Sequence, residues 1–217
     1  MKSLIAFISR NIMKRITLLI LFSALVINLV AQEKTKFGLK SGVNMSILSA
    51  SINSESTFKA GFHFGAFLKT PGGFRPEIYF SSQGQKDNYI TPPNGASVGK
   101  TTTTINYLNI PLLMELGKKK VTFQIGPQIG FALSGNEKGT IDGQSVDDDL
   151  KEFIKSPDLS LVLGMGLNLS EQVSLGIRYN HGLSDIFASP QDLPPGADFP
   201  SIKNRVFHFY LAVALNK

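Results

Sequence analysis

Bulky apolar residues occupy every second position of this chain, in segment after segment from about residue 36 to the C-terminus. In segment 159–167 leucine and methionine alternate with smaller residues, and segment 121–131 repeats the alternation with Phe123, Ile125 and Ile129. A period of two places alternate side chains on opposite faces of a β-strand. One face is large and apolar while the other is small or polar, a pattern typical of a sheet whose outer face contacts lipid.

The alternation divides the chain into eight predicted strands, each close to the 9–11 residues that a tilted membrane strand needs. They cover residues 36–46, 59–69, 74–84, 104–115, 120–132, 158–169, 173–183 and 205–215. Short connections at 70–73, 116–119 and 170–172 alternate with long ones at 47–58, 85–103, 133–157 and 184–204. Short periplasmic turns and long extracellular loops are typical of outer-membrane barrels. The sequence therefore predicts an all-β fold: an eight-stranded antiparallel up-and-down transmembrane β-barrel after a cleaved signal peptide.

The N-terminal segment predicts export. Lys14 and Arg15 precede an apolar run at 16–30, which is followed by the small residue Ala31. A basic flank, an apolar run and a small residue at the cut point are the parts of a secretory signal. We expect residues 1–31 to be a signal peptide and residues 32–217 to be the outer-membrane β-barrel domain. A retained membrane anchor is the alternative, and translation from Met13 is a second hypothesis about the start.

Charge and cysteine content exclude several classes of protein. The chain has no cysteine, which excludes disulfides, thiolate metal sites and a lipid-modified N-terminal cysteine. The formal net charge of +6 comes largely from residues 1–31, which hold four basic residues and no acidic one, so that 18 basic residues face 16 acidic ones afterwards. No basic stripe indicates binding to nucleic acid.

Several segments resemble a known family. They are KFGLKSGVN (36–44), FRPEIYFSSQG (74–84), YLNIPLLMEL (107–116), IGPQIGF (125–131) and PDLSLVLGMGL (157–167). Over roughly residues 36–216 the chain resembles the PorT-like outer-membrane β-barrel family of Gram-negative bacteria. The resemblance implies an OmpA-like barrel of eight strands in the outer membrane, and named members are linked to secretion and gliding machinery. The chain departs from many such barrels by ending in Leu215-Asn216-Lys217 rather than in an aromatic residue.

Three prolines fall inside predicted strands, where each removes one donor from the hydrogen-bond ladder. They are Pro76, Pro111 and Pro127. We expect them at bulges or near strand ends. The resemblance implies that such barrels tolerate proline at the positions of Pro111 and Pro127.

Five charged residues fall on the predicted inner face of the barrel: Lys40, Arg75, Glu77, Glu115 and Arg178. Opposite charges in a narrow lumen are expected to pair, because an unpaired buried charge is costly. We interpret these residues as an interior polar network with a structural role, which plugs the barrel. The functional alternative is a gated or ion-selective lumen.

Other candidates for chemistry carry weaker signals. His181 and Ser184 could form a nucleophile–base pair, but no family motif surrounds them. His63 and His208 are interpreted as inner-face polar residues rather than metal ligands. The aspartates of the third long loop, Asp142 and 147–149, are interpreted as a solvated acidic loop, because their spacing matches no known calcium loop. The sequence predicts no catalytic residue, no cofactor and no metal site.

The predicted function is that of an outer-membrane scaffold with a structural or interaction role. Its expected partners are outer-membrane lipid, lipopolysaccharide and a protein bound through the extracellular loops, with no nucleic acid. Three alternatives stay open. They are a narrow channel for small solutes, a lipid-modifying hydrolase using His181 and Ser184, and a soluble periplasmic lipocalin-like carrier.

Overall fold

The computed structural model describes residues 35–49, 55–89, 99–117, 120–188 and 201–216. The predicted signal peptide lies outside these residues. Within them the strands are β1 (Lys36–Ser49), β2 (Glu55–Lys69), β3 (Phe74–Tyr89), β4 (Gly99–Leu116), β5 (Val121–Ile141), β6 (Gln144–Asp149), β7 (Asp158–Asn168), β8 (Val173–Gly182) and β9 (Lys203–Ala214), with a 3-10 helix at Lys151–Phe153. No helix in the described part of the chain is long and apolar enough to cross a membrane.

Eight of these strands close into a ring. The order is β4-β3-β2-β1-β9-β8-β7-β5, and β5 pairs with β4 to complete the circle. Every neighbouring pair in the ring is antiparallel, including the first and last strands, in which Val43 pairs with Phe209. A closed ring gives each strand a partner on both sides and leaves no open edge in the hydrocarbon. The predicted all-β, eight-stranded antiparallel barrel is confirmed.

The connections alternate between the two ends of the barrel. Short turns join β2 to β3, β4 to β5, and β7 to β8 at one end. Gly73 and Gly117 adopt φ angles of 85° and 100° in the first two of these turns, a region of backbone conformation that favours glycine. The strand ends that the longer connections join lie at the opposite end. Because short turns face the periplasm in outer-membrane barrels, we call the two ends periplasmic and extracellular.

The sheet extends further at the extracellular end than the sequence predicts. β4 begins at Gly99 rather than near residue 104, and β5 continues to Ile141 rather than ending near residue 132. β6 forms a hairpin with residues 136–141 of β5 in a segment that we predicted to be a loop. The apolar alternation is absent there because most of the β6 side chains are exposed to water. After β6, a 3-10 helix occupies Lys151–Phe153.

Side-chain exposure separates a membrane barrel from a water-soluble one. Phe123, Ile125, Leu161 and Leu163 lie on the outer face and are 38–57% exposed. Gln124 lies between Phe123 and Ile125 on β5, points inward and is 2% exposed. A soluble carrier has the reverse arrangement, because a belt of exposed apolar side chains is unfavourable in water. The alternative of a soluble lipocalin-like carrier is therefore wrong.

The strand prolines only partly match their expected positions. Pro76 lies near the start of β3, as expected. Pro111 pairs with Gln128 inside β4, and Pro127 pairs with Leu161 inside β5, without a change of register on either side. The expectation of a bulge or strand end is wrong for these two prolines. Each removes one ladder donor, and the pairing of the flanking residues holds the register.

Candidate functional site: the barrel interior

The structure places all five predicted charged residues inside the barrel, toward its periplasmic end. β1 contributes Lys40, β3 contributes Arg75 and Glu77, β4 contributes Glu115, and β8 contributes Arg178. Each of the five is at most 6% exposed. They share the inner face because each occupies the inward parity of its strand. We call these five residues the ionic network.

Glu77 is the centre of the ionic network. Its carboxylate accepts hydrogen bonds from Lys40 Nζ at 2.6 Å and from Arg75 Nε at 2.8 Å. Arg178 donates to both carboxylate oxygens through its two terminal nitrogens, at 2.6 and 2.7 Å. Two parallel bonds between a guanidinium and a carboxylate add directional specificity to the charge attraction. Because three cations share one carboxylate, the position of each cation depends on the other two.

Glu115 is the second anionic centre. Its Oε2 accepts hydrogen bonds from Arg75 Nη1 at 2.7 Å and from Gln124 Nε2 at 2.8 Å, while Lys69 Nζ donates to Oε1. Gln124 Oε1 in turn accepts a hydrogen bond from Arg178 Nε at 2.7 Å. Sequence reasoning missed Gln124 and Lys69. The inward parity of Gln124 on β5 could have revealed it, and so could that of Lys69, which ends β2 on the same face as His63.

Aromatic rings flank the cations of the network. Lys40 Nζ lies 4.3 Å from the ring centroid of Tyr79, Arg75 Cζ lies 4.2 Å from that of Phe67, and Arg178 Cζ lies 4.8 Å from that of Tyr210. A ring face attracts a cation and offsets part of the cost of removing it from water. These contacts matter because the network, together with Lys69, has four cations and two carboxylates.

Neutral polar side chains fill the next level toward the extracellular end. Gln128 Oε1 accepts hydrogen bonds from Tyr79 Oη at 2.6 Å and from Asn180 Nδ2 at 3.0 Å, and Gln128 Nε2 donates to Asn109 Oδ1 at 3.0 Å. The two interior histidines lie with their Nδ1 atoms 3.3 Å apart. We call this group the middle polar layer: Tyr79, Asn109, Gln128, Asn180, His63 and His208.

Apolar side chains cluster at the extracellular end of the interior, beside buried polar side chains such as Gln83 and Asn204. We call these apolar side chains the outer apolar cluster: Leu48, Ile105, Tyr107, Ala132, Ile154 and Ile186. Ile154 follows the 3-10 helix and Ile186 follows β8, so two connecting segments fold into the barrel mouth. A β-bridge between Ile154 and Phe187 joins these segments, and Lys155 N–H donates to the Ile186 carbonyl at 2.7 Å. Sequence reasoning missed the two isoleucines because strand periodicity does not extend into connecting segments.

The two residues considered for a hydrolase have other partners. Ser184 Oγ donates a hydrogen bond to Asp158 Oδ1 at 2.7 Å. His181 lies on the outward side of β8, where its Nδ1 is 2.6 Å from Arg205 Nη1. Arg205 Nη1 also donates to Tyr179 Oη at 3.0 Å. In the described part of the chain no hydrogen bond joins His181 to Ser184, so the structure does not bring the two together as a nucleophile and its base.

The predicted acidic loop forms part of a strand. Residues 147–149 end β6, and Asp147 pairs with Lys138 of β5 at 2.9 Å on the exposed surface. Among the residues that the structure describes, no group of three or more histidine, aspartate or glutamate side chains is placed to hold a metal ion.

Several solved structures are similar to this chain at low sequence identity. One is Neisserial surface protein A, at 12% identity over 83% of this chain and 99% of that chain, with a TM-score of 0.46. Another is Ail, the attachment invasion locus protein of Yersinia pestis, in complex with the heparin analogue sucrose octasulfate. It has 11% identity over 83% of this chain and 99% of that chain, with a TM-score of 0.47. The outer membrane protein OprG from Pseudomonas aeruginosa has 10% identity over 84% of this chain and 96% of that chain, with a TM-score of 0.42.

Sequence comparison identifies the family. A search of curated protein sequences finds no match to the chain. A family model described as outer membrane protein beta-barrel domain matches residues 30–188, which is most of the chain. The closed ring of strands with its apolar outer belt agrees with this description. The chain belongs to the outer-membrane protein β-barrel domain family.

Proposed function

We propose that this outer-membrane protein is a non-conducting barrel with a structural and interaction role. The observation that carries the proposal is the occupied lumen. Along the barrel axis, the ionic network, the middle polar layer and the outer apolar cluster follow one another. An eight-stranded barrel is only just wide enough to be filled by side chains, and these three levels fill it with buried groups that hold one another in place.

The extracellular extension of the sheet supports the interaction role. Residues 99–103 of β4 pair with residues 137–141 of β5, beyond the apolar belt of the barrel. β6 adds a further strand to this extension, and most of its side chains are exposed. A paired sheet holds its surface in one shape, which lowers the entropy lost when a partner binds. The extension is therefore the surface through which we expect a protein partner to bind.

We also propose that the chain is PorT-like within its family. In YLNIPLLMEL (107–116), alternate residues point inward, and three of them serve different levels of the interior. Tyr107 belongs to the outer apolar cluster, Asn109 to the middle polar layer and Glu115 to the ionic network. A shared segment of this kind would specify a shared interior, which gives a physical reason for the resemblance. A place in secretion or gliding machinery is part of this proposal.

Lipopolysaccharide is the lipid partner that we propose. Arg205 lies on the outward side of β9, near its extracellular end, and contacts Tyr179 and His181 on β8. A guanidinium at this height faces the headgroups of the outer leaflet, and arginine binds phosphate well. The expected result is that lipopolysaccharide raises the thermal midpoint of the wild type but not of Arg205→Gln. Equal stabilisation of both proteins would refute the contact.

No enzymatic activity is part of the proposal. The Ser184 hydroxyl is used in its bond to Asp158, and His181 faces Arg205 on the opposite side of the β8 strand from the interior. Overexpression of the protein is therefore expected to leave the mass spectrum of lipid A unchanged. A new lipid A species that is absent in His181→Ala would support the hydrolase instead.

Conductance across planar lipid bilayers tests the occupied lumen directly. The wild type is expected to insert without stepwise conductance, because each level of the interior blocks a continuous water path. The matched variant is Ile186→Ala, which loosens only the outer apolar cluster and is expected to stay closed because the ionic network remains. Reproducible channel openings of the wild type would favour the alternative of a narrow channel for small solutes.

A further inference from the structure

The barrel interior opens at its periplasmic end into a cavity of about 560 Å³. It lies beside the ionic network, among the periplasmic ends of the strands and the turn between β7 and β8. We call this cavity the periplasmic vestibule. Its volume falls within the range of about 300–1,000 Å³ that is usual for small-molecule sites.

The charged side chains of the periplasmic vestibule are mostly basic. Lys36, Lys69, Arg75 and Lys120 line it, and Glu171 is the one acidic residue among the described residues of its wall. Lys36 Nζ donates to the backbone carbonyl of Glu171 at 2.7 Å, so this bond does not involve the Glu171 carboxylate. The two carboxylates of the ionic network do not neutralise the excess, because they already serve four cations. The periplasmic mouth therefore carries a surplus of positive charge at close range.

Arg75 connects the vestibule to the buried interior. The residue is 3% exposed and uses Nε for Glu77 and Nη1 for Glu115. Its Nη2 is buried and has no hydrogen-bond partner among the described residues. An unpaired buried donor is unfavourable, and an oxyanion is the group that best satisfies a guanidinium. The orphaned nitrogen and the surplus charge therefore indicate the same kind of ligand.

We propose that the periplasmic vestibule binds a ligand that carries two or more oxyanion groups, either carboxylates or phosphates. Arg75 turns Nη2, which neighbouring side chains now cover, toward the vestibule to take one group, and the lysines at the rim take the others. The ionic network blocks the way into the lumen, so the ligand binds from the periplasm and does not pass through. The inference goes beyond the proposed function and can fail separately from it. A conducting barrel would refute the closed lumen and still leave anion binding at the mouth to be measured.

Isothermal titration calorimetry on the full protein in zwitterionic lipid nanodiscs tests the proposal, with pyrophosphate and citrate as probes. We expect saturable binding to a single site, weakened by salt because the attraction is electrostatic. The triple variant Lys36→Gln, Lys69→Gln, Lys120→Gln is expected to bind about ten-fold more weakly or worse. The control Lys100→Gln removes an exposed charge at the extracellular end and is expected to bind as the wild type does.

Arg75→Lys tests the orphaned nitrogen separately, because it keeps the charge and removes Nη2. It is expected to bind more weakly than the wild type while its folded band on a gel remains. If a variant fails to fold, amine acylation of the wild type supplies the second measurement. Bound anion is expected to slow acylation of Lys69 and Lys120, read by mass spectrometry, and to leave Lys100 unaffected.

The outcomes separate the two sources of oxyanion. Binding of pyrophosphate alone assigns a phosphate ligand, binding of citrate alone assigns a carboxylate ligand, and binding of both supports the common chemistry. Three results would overturn the proposal. They are no saturable binding of either probe, equal affinity in the wild type and the triple variant, or equal slowing of acylation at Lys69, Lys120 and Lys100.

Discussion

Replacing Glu77 with glutamine removes the central charge of the ionic network with the smallest change of shape. Glutamine has nearly the same volume and keeps one acceptor oxygen, so the packing of the interior is preserved. Lys40, Arg75 and Arg178 now contact the Glu77 carboxylate at 2.6–2.8 Å. In Glu77→Gln these three cations would face a neutral amide, in a site where the Glu77 side chain is 0% exposed.

The expected loss of stability follows from the cost of an uncompensated buried charge. Removing one partner of a buried ion pair costs about 3–5 kcal/mol. Glu77 has three cationic partners, which raises the expected cost, while the remaining amide oxygen and the Glu115 carboxylate lower it. We expect Glu77→Gln to lose about 4 kcal/mol of unfolding free energy. With a urea dependence of about 2 kcal/mol per molar, the unfolding midpoint would fall by about 2 M.

The assay is the heat-modifiable shift of the folded barrel on a gel, measured across a urea series in lipid bilayers. Glu115→Gln is expected to cost less, about 2–3 kcal/mol, because its partner Lys69 has a side chain that is 32% exposed. Water can therefore solvate Lys69 when the charge of Glu115 is removed. The double variant Glu77→Gln, Glu115→Gln is expected to lose most of its folded band on the gel.

Two further variants make the result decisive. Asp147→Asn breaks the ion pair between Asp147 and Lys138, whose side chains are 64% and 65% exposed respectively. This variant is expected to leave the urea midpoint unchanged, because surface ion pairs contribute little to stability. Adding Lys40→Met to Glu77→Gln removes one of the stranded cations and is expected to restore part of the lost stability. The reasoning is refuted if Glu77→Gln melts like the wild type, or if Lys40→Met destabilises it further.

Three further predictions concern the wall of the barrel and its orientation. Leu163→Arg puts a charge on the lipid face halfway along β7 and is expected to cost about 2–4 kcal/mol in the same urea series; no loss would contradict lipid contact there. Gly65→Ala is expected to cost about 1–3 kcal/mol, because the new methyl group would overlap the backbone of β3, whereas Gly72→Ala in the exposed turn is expected to be neutral. Because the chain has no cysteine, Lys138→Cys should react with an impermeant maleimide on intact cells, and Glu171→Cys only after the outer membrane is opened; the reverse pattern would contradict the orientation.

Strand positions and the two faces of each strand were predictable from the amino-acid order. Parity along a strand is a local property, so the outward position of Leu163 and the inward position of Gln128 both follow from the period of two. The even number of strands and the alternating connection lengths then favoured an up-and-down barrel over other sheets. The same parity gave no indication of β6, because most of its side chains are exposed and an apolar period is lost where both faces of a strand meet water.

Contacts across the barrel depended on the closed ring. The inward parity of Glu77 and Arg178 puts both on the inner face, but their contact requires the register of every strand pair between β3 and β8. Likewise, Ile154 and Ile186 meet only because two connecting segments fold into the same mouth. The orphaned nitrogen of Arg75 arises from the positions of Glu77 and Glu115 around one guanidinium. Such contacts join residues far apart in sequence, and three-dimensional closure is what sets the distances between them.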